Sequence, residues 1–180
     1  TFKPDLETLE KRCSKGTYLT SGDNDPVFSG GLYCVSTRYV GKSNSAYTAL
    51  GFLQSKVFVL TTPGIDVLQI RRSPGFKRYV HVVHDVGDIH TYKLFSFDYY
   101  DAVFCSGPAQ AKSLRALEKL RCTRPKDLPL LGCPYLDELT SRAQKAPEPE
   151  PNTIIIAPTW GKNSLLTRTG SAIPRMLAEA

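Results

Sequence analysis

His81, His84 and His90 are the three histidines of the chain and fall within ten residues, in the run Tyr79-Val80-His81-Val82-Val83-His84-Asp85-Val86-Gly87-Asp88-Ile89-His90. The apolar, β-branched character of residues 79–83 predicts a strand whose carboxyl end delivers His84, Asp85, Gly87 and Asp88. In open α/β sheets ligands bind beyond the carboxyl ends of the strands, which places His84 where a substrate would sit. Its unperturbed pKa of about 6.5 suits removal of a proton from a hydroxyl at neutral pH. Asp85 or Asp88 is the candidate to orient the imidazole and stabilise its protonated form. Two other readings stand beside this one. The first is metal ligation, since His and Asp are common ligands; but His81 and His84 are three apart, point to opposite faces of a strand, and share an ion only if the strand ends before His84. The second is a hydrogen-bonded histidine at a strand end with no catalytic role. The residue types and their placement favour His84 as a general base, with no metal expected.

Three further chain reversals are expected at the same edge: Thr61-Thr62-Pro63-Gly64, Ser106-Gly107-Pro108 and Gly132-Cys133-Pro134-Tyr135. Backbone N–H groups in such turns, near a following helix start, attract phosphate, although Gly and Pro there also serve as ordinary turn residues. Thr62, Ser106 and Gly107 therefore join Asp85, Asp88 and His90 as candidate substrate contacts. The P-loop and the G-x-G-x-x-G fingerprint are both absent. Just before the histidine strand, Arg71-Arg72 and Lys77-Arg78 flank Pro74-Gly75. They form a cationic cluster that reads either as a solvated loop or as a contact for an anionic lipid or polyphosphate acceptor.

The elements that must position these residues follow from the pattern of apolar runs. A helix is predicted over 4–15, with Leu6, Leu9 and Cys13 on one stripe and Gly16 ending it. Strand-like runs recur at 18–20, 32–36, 57–61, 79–84, 102–105, 128–132 and 153–157, and helix-like segments occupy 45–54, 108–121 and 135–143. The helix over 108–121 opens on a proline and carries Ala109, Leu114, Leu117 and Leu120 as its inner stripe, leaving Lys112, Arg115, Glu118 and Lys119 for a solvated face. Strands alternating with helices predict an α/β, Rossmann-like domain with a mainly parallel sheet flanked by helices. The alternating Pro and Glu of residues 144–151 read as a semi-rigid surface linker. The expected division is one complete domain over 1–145, a linker over 146–152, and the start of a second domain over 153–180. The first residue is Thr1 and residues 176–180 read as mid-helix, so a piece of a longer protein is expected.

Composition narrows the classes. With 180 residues, 41% apolar and 22% charged, the chain suits one globular domain or slightly more, and a disordered tail is excluded. No stretch approaches the roughly 18 to 20 apolar residues of a membrane-spanning helix, and residues 1–25 show no charged-then-apolar leader, so neither a span nor a secretory signal is expected. Twenty-three Lys and Arg against 17 Asp and Glu give a formal charge of +6, which favours an anionic partner. The five cysteines are odd in number, scattered, and never spaced C-x-x-C. That argues against structural zinc and for a reducing cytoplasm. The aromatic residues are spread among apolar runs instead of alternating with Lys and Arg along a stripe, so nucleic acid is not an expected partner.

Four ordered motifs carry a resemblance over residues 55–165: the strand ending in His84; Phe97-Asp98-Tyr99-Tyr100-Asp101-Ala102-Val103-Phe104-Cys105-Ser106-Gly107; Gly132-Cys133-Pro134-Tyr135-Leu136-Asp137; and Ile155-Ile156-Ala157-Pro158-Thr159-Trp160. Together they resemble the CDP-glycerol glycerophosphotransferase family, enzymes of teichoic acid and related cell-wall polymer synthesis with the GT-B fold of two facing Rossmann-like domains. The resemblance implies that His84 matches the family's acceptor-domain base. That histidine is commonly followed by glycine, where this chain has Asp85, a departure that bears on the local backbone and on the acceptor. It implies a polyol phosphate moved from a CDP-activated donor to a hydroxyl of a phosphate-rich or lipid-linked acceptor, with no cofactor. It also implies a cytoplasmic enzyme, peripheral on the inner face of an anionic membrane. The family's second catalytic histidine and its cytidine and pyrophosphate contacts lie further along the donor domain, so this piece is expected to be inactive alone. A nucleotide-sugar GT-B glycosyltransferase explains nearly every feature as well, and a non-catalytic Rossmann-like module would make the histidines structural.

Overall fold

The computed structural model describes residues 3–12, 15–29, 33–147, 155–170 and 172–178. Helix α1 (Lys3–Lys11) ends short of the predicted residue 15, and Gly16 opens a strand instead of closing the helix. Gly16 N–H donates to Cys34 O, starting a parallel ladder in which β1 (Gly16–Thr20) pairs with β2 (Val35–Tyr39). Leu6 is buried but Leu9 is exposed, and Cys13 lies outside the described residues. The Glu10 carboxylate ties α1 to this pair by accepting the N–H groups of Tyr33 (2.7 Å), Cys34 (2.8 Å) and Val35 (3.2 Å).

After α2 (Ser43–Gly51), strands β3 (Ser55–Leu60), β4 (Phe76–Val82) and β5 (Ala102–Phe104) form a parallel sheet in chain order. The chain is thus α/β, with two small parallel sheets flanked by helices. Helix α3 (Pro108–Arg121) has the predicted bounds and is followed by a near-strand at 127–131. Asp127 N–H donates to Asp101 O, Val103 N–H to Asp127 O, Cys105 N–H to Pro129 O and Leu131 N–H to Cys105 O. The next bond of this parallel pattern would run from residue 129 to Val103 O, and Pro129 has no N–H. The predicted strand at 128–132 therefore survives as two isolated bridges, and the Cys105 thiol lies 3.5 Å from the Val103 carbonyl.

Strand order equals chain order, so right-handed crossovers all fall on one side of the sheet. On that side Tyr79, His81, Val103 and Cys105 are packed under Ile65, Ile70, Phe97, Tyr100 and Leu114. The register puts Val57, Val59, Arg78, Val80, Val82, Ala102 and Phe104 on the other face, where Val57 and Val59 are 46% and 52% exposed. Burying an aliphatic side chain such as Leu114 contributes about 2 kcal/mol.

The inner face of α3 differs from the predicted stripe. Ala109 and Leu120 are exposed, and Gln110, Leu114 and Glu118 are buried. Burial of these polar groups is compensated by hydrogen bonds. Glu118 accepts the Lys126 N–H at 2.8 Å and pairs with Arg115 at 2.7 Å, so it is not on the solvated face. Lys112, Arg115 and Lys119 are exposed as expected.

Helix α4 (Pro134–Lys145) is longer than predicted, followed by α5 (Leu165–Thr169) and α6 (Ala172–Ala178). The chain divides into two compact units, Thr1–Ser141 and Arg142–Ala180, with the division inside α4 and not at the expected residue 145. Of the strand predicted at 153–157, residues 155–157 have no regular structure and 153–154 lie outside the described residues. Among the described residues no helix is long and apolar enough to cross a membrane.

Candidate active site

Pairing of Leu60 with His81 and of Val82 with Phe104 brings Thr62, His84 and Ser106 to one sheet edge, each just beyond its strand. β4 stops at Val82, two residues before His84. Val83 N–H still donates to Phe104 O at 3.1 Å, and the chain then turns out of the sheet. The His84 imidazole is exposed, with no hydrogen bond or ion pair among the described residues.

His81 has the opposite environment. It is fully buried, and its ring makes edge contacts with Tyr92 (6.2 Å between centroids), Phe97 (5.2 Å) and Tyr100 (5.1 Å). Both ring nitrogens lack a hydrogen-bond partner. Burial, and then the neighbouring His84, lower its pKa to about 4; the Thr62 backbone opposes the shift from nearby without hydrogen-bonding geometry. His81 is therefore neutral at pH 7. Among the described residues no group of three or more His, Cys, Asp or Glu side chains could hold a metal ion.

The acidic neighbours serve the turn and do not touch the His84 ring. Asp85 accepts Gly87 N–H at 3.0 Å and the Tyr92 hydroxyl at 3.3 Å. Burial, followed by the charge of Asp85, pushes the Tyr92 pKa up to about 12. Asp88 accepts His90 N–H at 3.1 Å, capping the short 3-10 turn Ile89–Thr91, and its carboxylate lies 3.8 Å from His90 Nε2. The expectation that Asp85 or Asp88 orients His84 is thus corrected: both carboxylates are close enough to backbone N–H groups to be held in tight Asx-type turns.

Ser106 hydroxyl lies 2.6 Å from Asp85 O and 2.9 Å from Gln110 Oε1, so it is engaged in the protein. Gly107 stands at the N-cap of α3 with no side-chain cap, followed by Pro108 in the first turn. Thr62 is exposed, and its carbonyl accepts the Tyr100 hydroxyl. Gln110, absent from the sequence reading, binds the same turn from the other side: Nε2 donates to Gly87 O at 2.8 Å and Oε1 accepts Ser106 N–H at 2.9 Å. A polar residue four positions after Ser106, in the first turn of the helix, was the available signal.

The cationic cluster does not join this edge. Arg71, Arg72, Lys77 and Arg78 sit around the start of β4, six residues or more from His84, which at about 3.3 Å per residue is roughly 20 Å from Arg78. Arg71 donates to Asp66 O at 2.9 Å. Arg72 reaches Tyr99 O at 2.8 Å and Asp101 at 3.3 Å, and stacks 4.6 Å over the Tyr79 ring. Arg78 pairs with Asp127, and Lys77 is exposed. An open depression of about 640 Å³, lined by Val57, Arg78, Val80, Phe104, Arg115 and Pro129, lies on the less covered sheet face, away from His84.

An exposed imidazole with no partner among the described residues, on a fixed backbone and next to a helix N-terminus without a side-chain cap, can accept a proton from a hydroxyl placed beside a site favourable to negative charge. No family model, no curated protein and no solved structure matches the chain.

Proposed function

We propose that this edge is the acceptor side of a phosphotransferase that moves a polyol phosphate from a CDP-activated donor to a hydroxyl of a phosphate-rich or lipid-linked polymer. The observation that carries the reading is His84, exposed and without a hydrogen-bond or ion-pair partner among the described residues, at the carboxyl end of a central parallel strand. The order of the four sequence motifs supports the choice of donor class. His84 takes the proton of the acceptor hydroxyl; the acceptor oxygen bonds to the β-phosphorus, the bond from that phosphorus to the CMP oxygen breaks, and CMP leaves. The proton on His84 then passes to solvent. The uncapped start of α3 stabilises negative charge on an acceptor phosphate. On this reading the cytidine and pyrophosphate contacts belong to a donor domain that residues 153–180 begin, and the enzyme works in the cytoplasm at the inner membrane face.

The test is a donor screen on the full-length protein, following CMP or UDP release from CDP-glycerol, CDP-ribitol and UDP-sugars. CMP release from a CDP-alcohol is expected, and His84→Gln lowers it by about 10²-fold or more. UDP release with no reaction of either CDP-alcohol assigns the protein to nucleotide-sugar glycosyl transfer instead. Turnover unchanged in His84→Gln removes the general base and leaves a non-catalytic role for this histidine.

A further inference from the structure

His84 carries an exposed ring on a backbone held from both sides. Before it, Val83 N–H donates to Phe104 O. After it, Asp85 O receives the Ser106 hydroxyl at 2.6 Å and Gln110 Nε2 at 3.3 Å, and Gly87 O receives Gln110 Nε2 at 2.8 Å. Every one of these anchors comes from the junction between β5 and α3, within residues 104–110. Gln110 is 5% exposed, so its amide has been taken from water and its hydrogen bonds are not interchangeable with solvent ones. Its two ends do different work: Oε1 accepts Ser106 N–H, fixing the entry to the helix, and Nε2 holds the two carbonyls of the histidine turn.

We propose that Gln110 and Ser106 form a bracket that positions His84, making Gln110 a positioning residue for proton removal although its side chain does not touch the imidazole. This inference rests on the reading of His84 as the base. A catalytic group has to be held within about half an ångström of its productive place, and a ring with no side-chain partner among the described residues gets that precision from its backbone. The bracket supplies it and leaves both ring nitrogens open to substrate. It also links the His84 turn to the first turn of α3, so whatever moves the start of the helix moves the imidazole.

The deciding variant is Gln110→Met, which keeps the length and approximate volume of the side chain and removes the amide. In the isotope-labelled 180-residue protein, the Ser106 amide is expected to exchange about tenfold faster or more, corresponding to the loss of one buried hydrogen bond. The backbone order parameter at His84 is expected to fall from about 0.85 towards 0.6. In turnover assays of the full-length protein kcat falls about tenfold and KM stays within about twofold, as expected for lost positioning. Ser106→Ala, which removes the other arm, gives smaller changes in the same direction and decides the matter if Gln110→Met does not fold. Unchanged exchange at Ser106 and unchanged order at His84 in Gln110→Met, or unchanged order in Ser106→Ala, overturns the bracket. A His84→Gln enzyme with undiminished turnover instead overturns the base reading, and it leaves the exchange and order measurements free to report on the bracket.

Discussion

At the amino-terminal edge of the β3–β4–β5 sheet the side chains are tied and little is left free. Asp101 accepts Tyr79 N–H at 2.8 Å and pairs with both Arg72 and Arg124, and Asp127 pairs with Arg78. At the carboxyl-terminal edge the arrangement is reversed: there the backbone is tied, and the His84 side chain is free. One edge fastens elements to one another, and the other holds an exposed imidazole on a fixed backbone. The lesson is that a high density of charged residues here goes with side chains tied to one another. Four basic residues within eight positions mark the fastened edge, and at the other edge the His84 imidazole is exposed with no hydrogen bond or ion pair among the described residues.

This contrast can be broken most sharply at Asp101, whose side chain is 13% exposed. Asp101→Ala leaves the Tyr79 N–H without its acceptor and two guanidinium groups without their shared carboxylate. A loss of about 3 kcal/mol in urea unfolding is expected. A loss under about 0.5 kcal/mol would mean that the ion pairs are not what fastens this edge.

The next effect compares the two histidines of one strand. His81 has its pKa lowered to about 4 in the folded protein, against about 6.5 unfolded. Above pH 6.5 neither state binds the proton and the group contributes no pH dependence. As pH falls from 6.5 to 4 the unfolded chain takes up a proton that the folded chain refuses, so stability declines by up to about 3 kcal/mol. His81→Leu removes this part of the decline and also removes two buried nitrogens that lack partners. Unfolding midpoints at pH 7.5 and pH 4.5 in the two proteins measure the difference. An identical decline in both would show that His81 is not the group responsible.

The smallest effect is expected at Arg78, exposed like its partner Asp127. Arg78→Ala changes stability by less than about 1 kcal/mol, and by less again in high salt. A loss as large as that of Asp101→Ala would show that the pair is far better shielded from water than its exposure indicates.

The sheet was legible where local rules act alone. The apolar run before His84 located β4, although the strand starts three residues earlier than expected, at Phe76, and stops at Val82; Pro108 fixed the start of α3 because proline suits the first helical turn. Pairing between distant polar groups was not legible. A charged residue among Lys and Arg is expected to face water, as at Glu118; its burial depends on Lys126 N–H, which only the folded chain brings near. The same holds for Gln110, whose partners at Asp85 and Gly87 are more than twenty residues away. The expected role of Asp85 or Asp88 in orienting His84 gives way to a local competition: an aspartate two residues before a backbone N–H bends back to it more readily than it reaches a side chain.

Pro129 makes a distant position of the chain answerable to it. The carbonyl of Val103 faces a residue that cannot donate, and the nearby proton is that of the Cys105 thiol, which is fully buried and kept in its protonated form by that burial. Replacing Cys105 by alanine alone therefore strands a carbonyl inside the sheet, whereas the same change made together with a non-proline residue at 129 gives that carbonyl an ordinary amide. Cys105 and Pro129 are in this sense linked in one direction: the thiol can be given up without stranding the carbonyl only where position 129 carries an amide, whereas position 129 is free to change first.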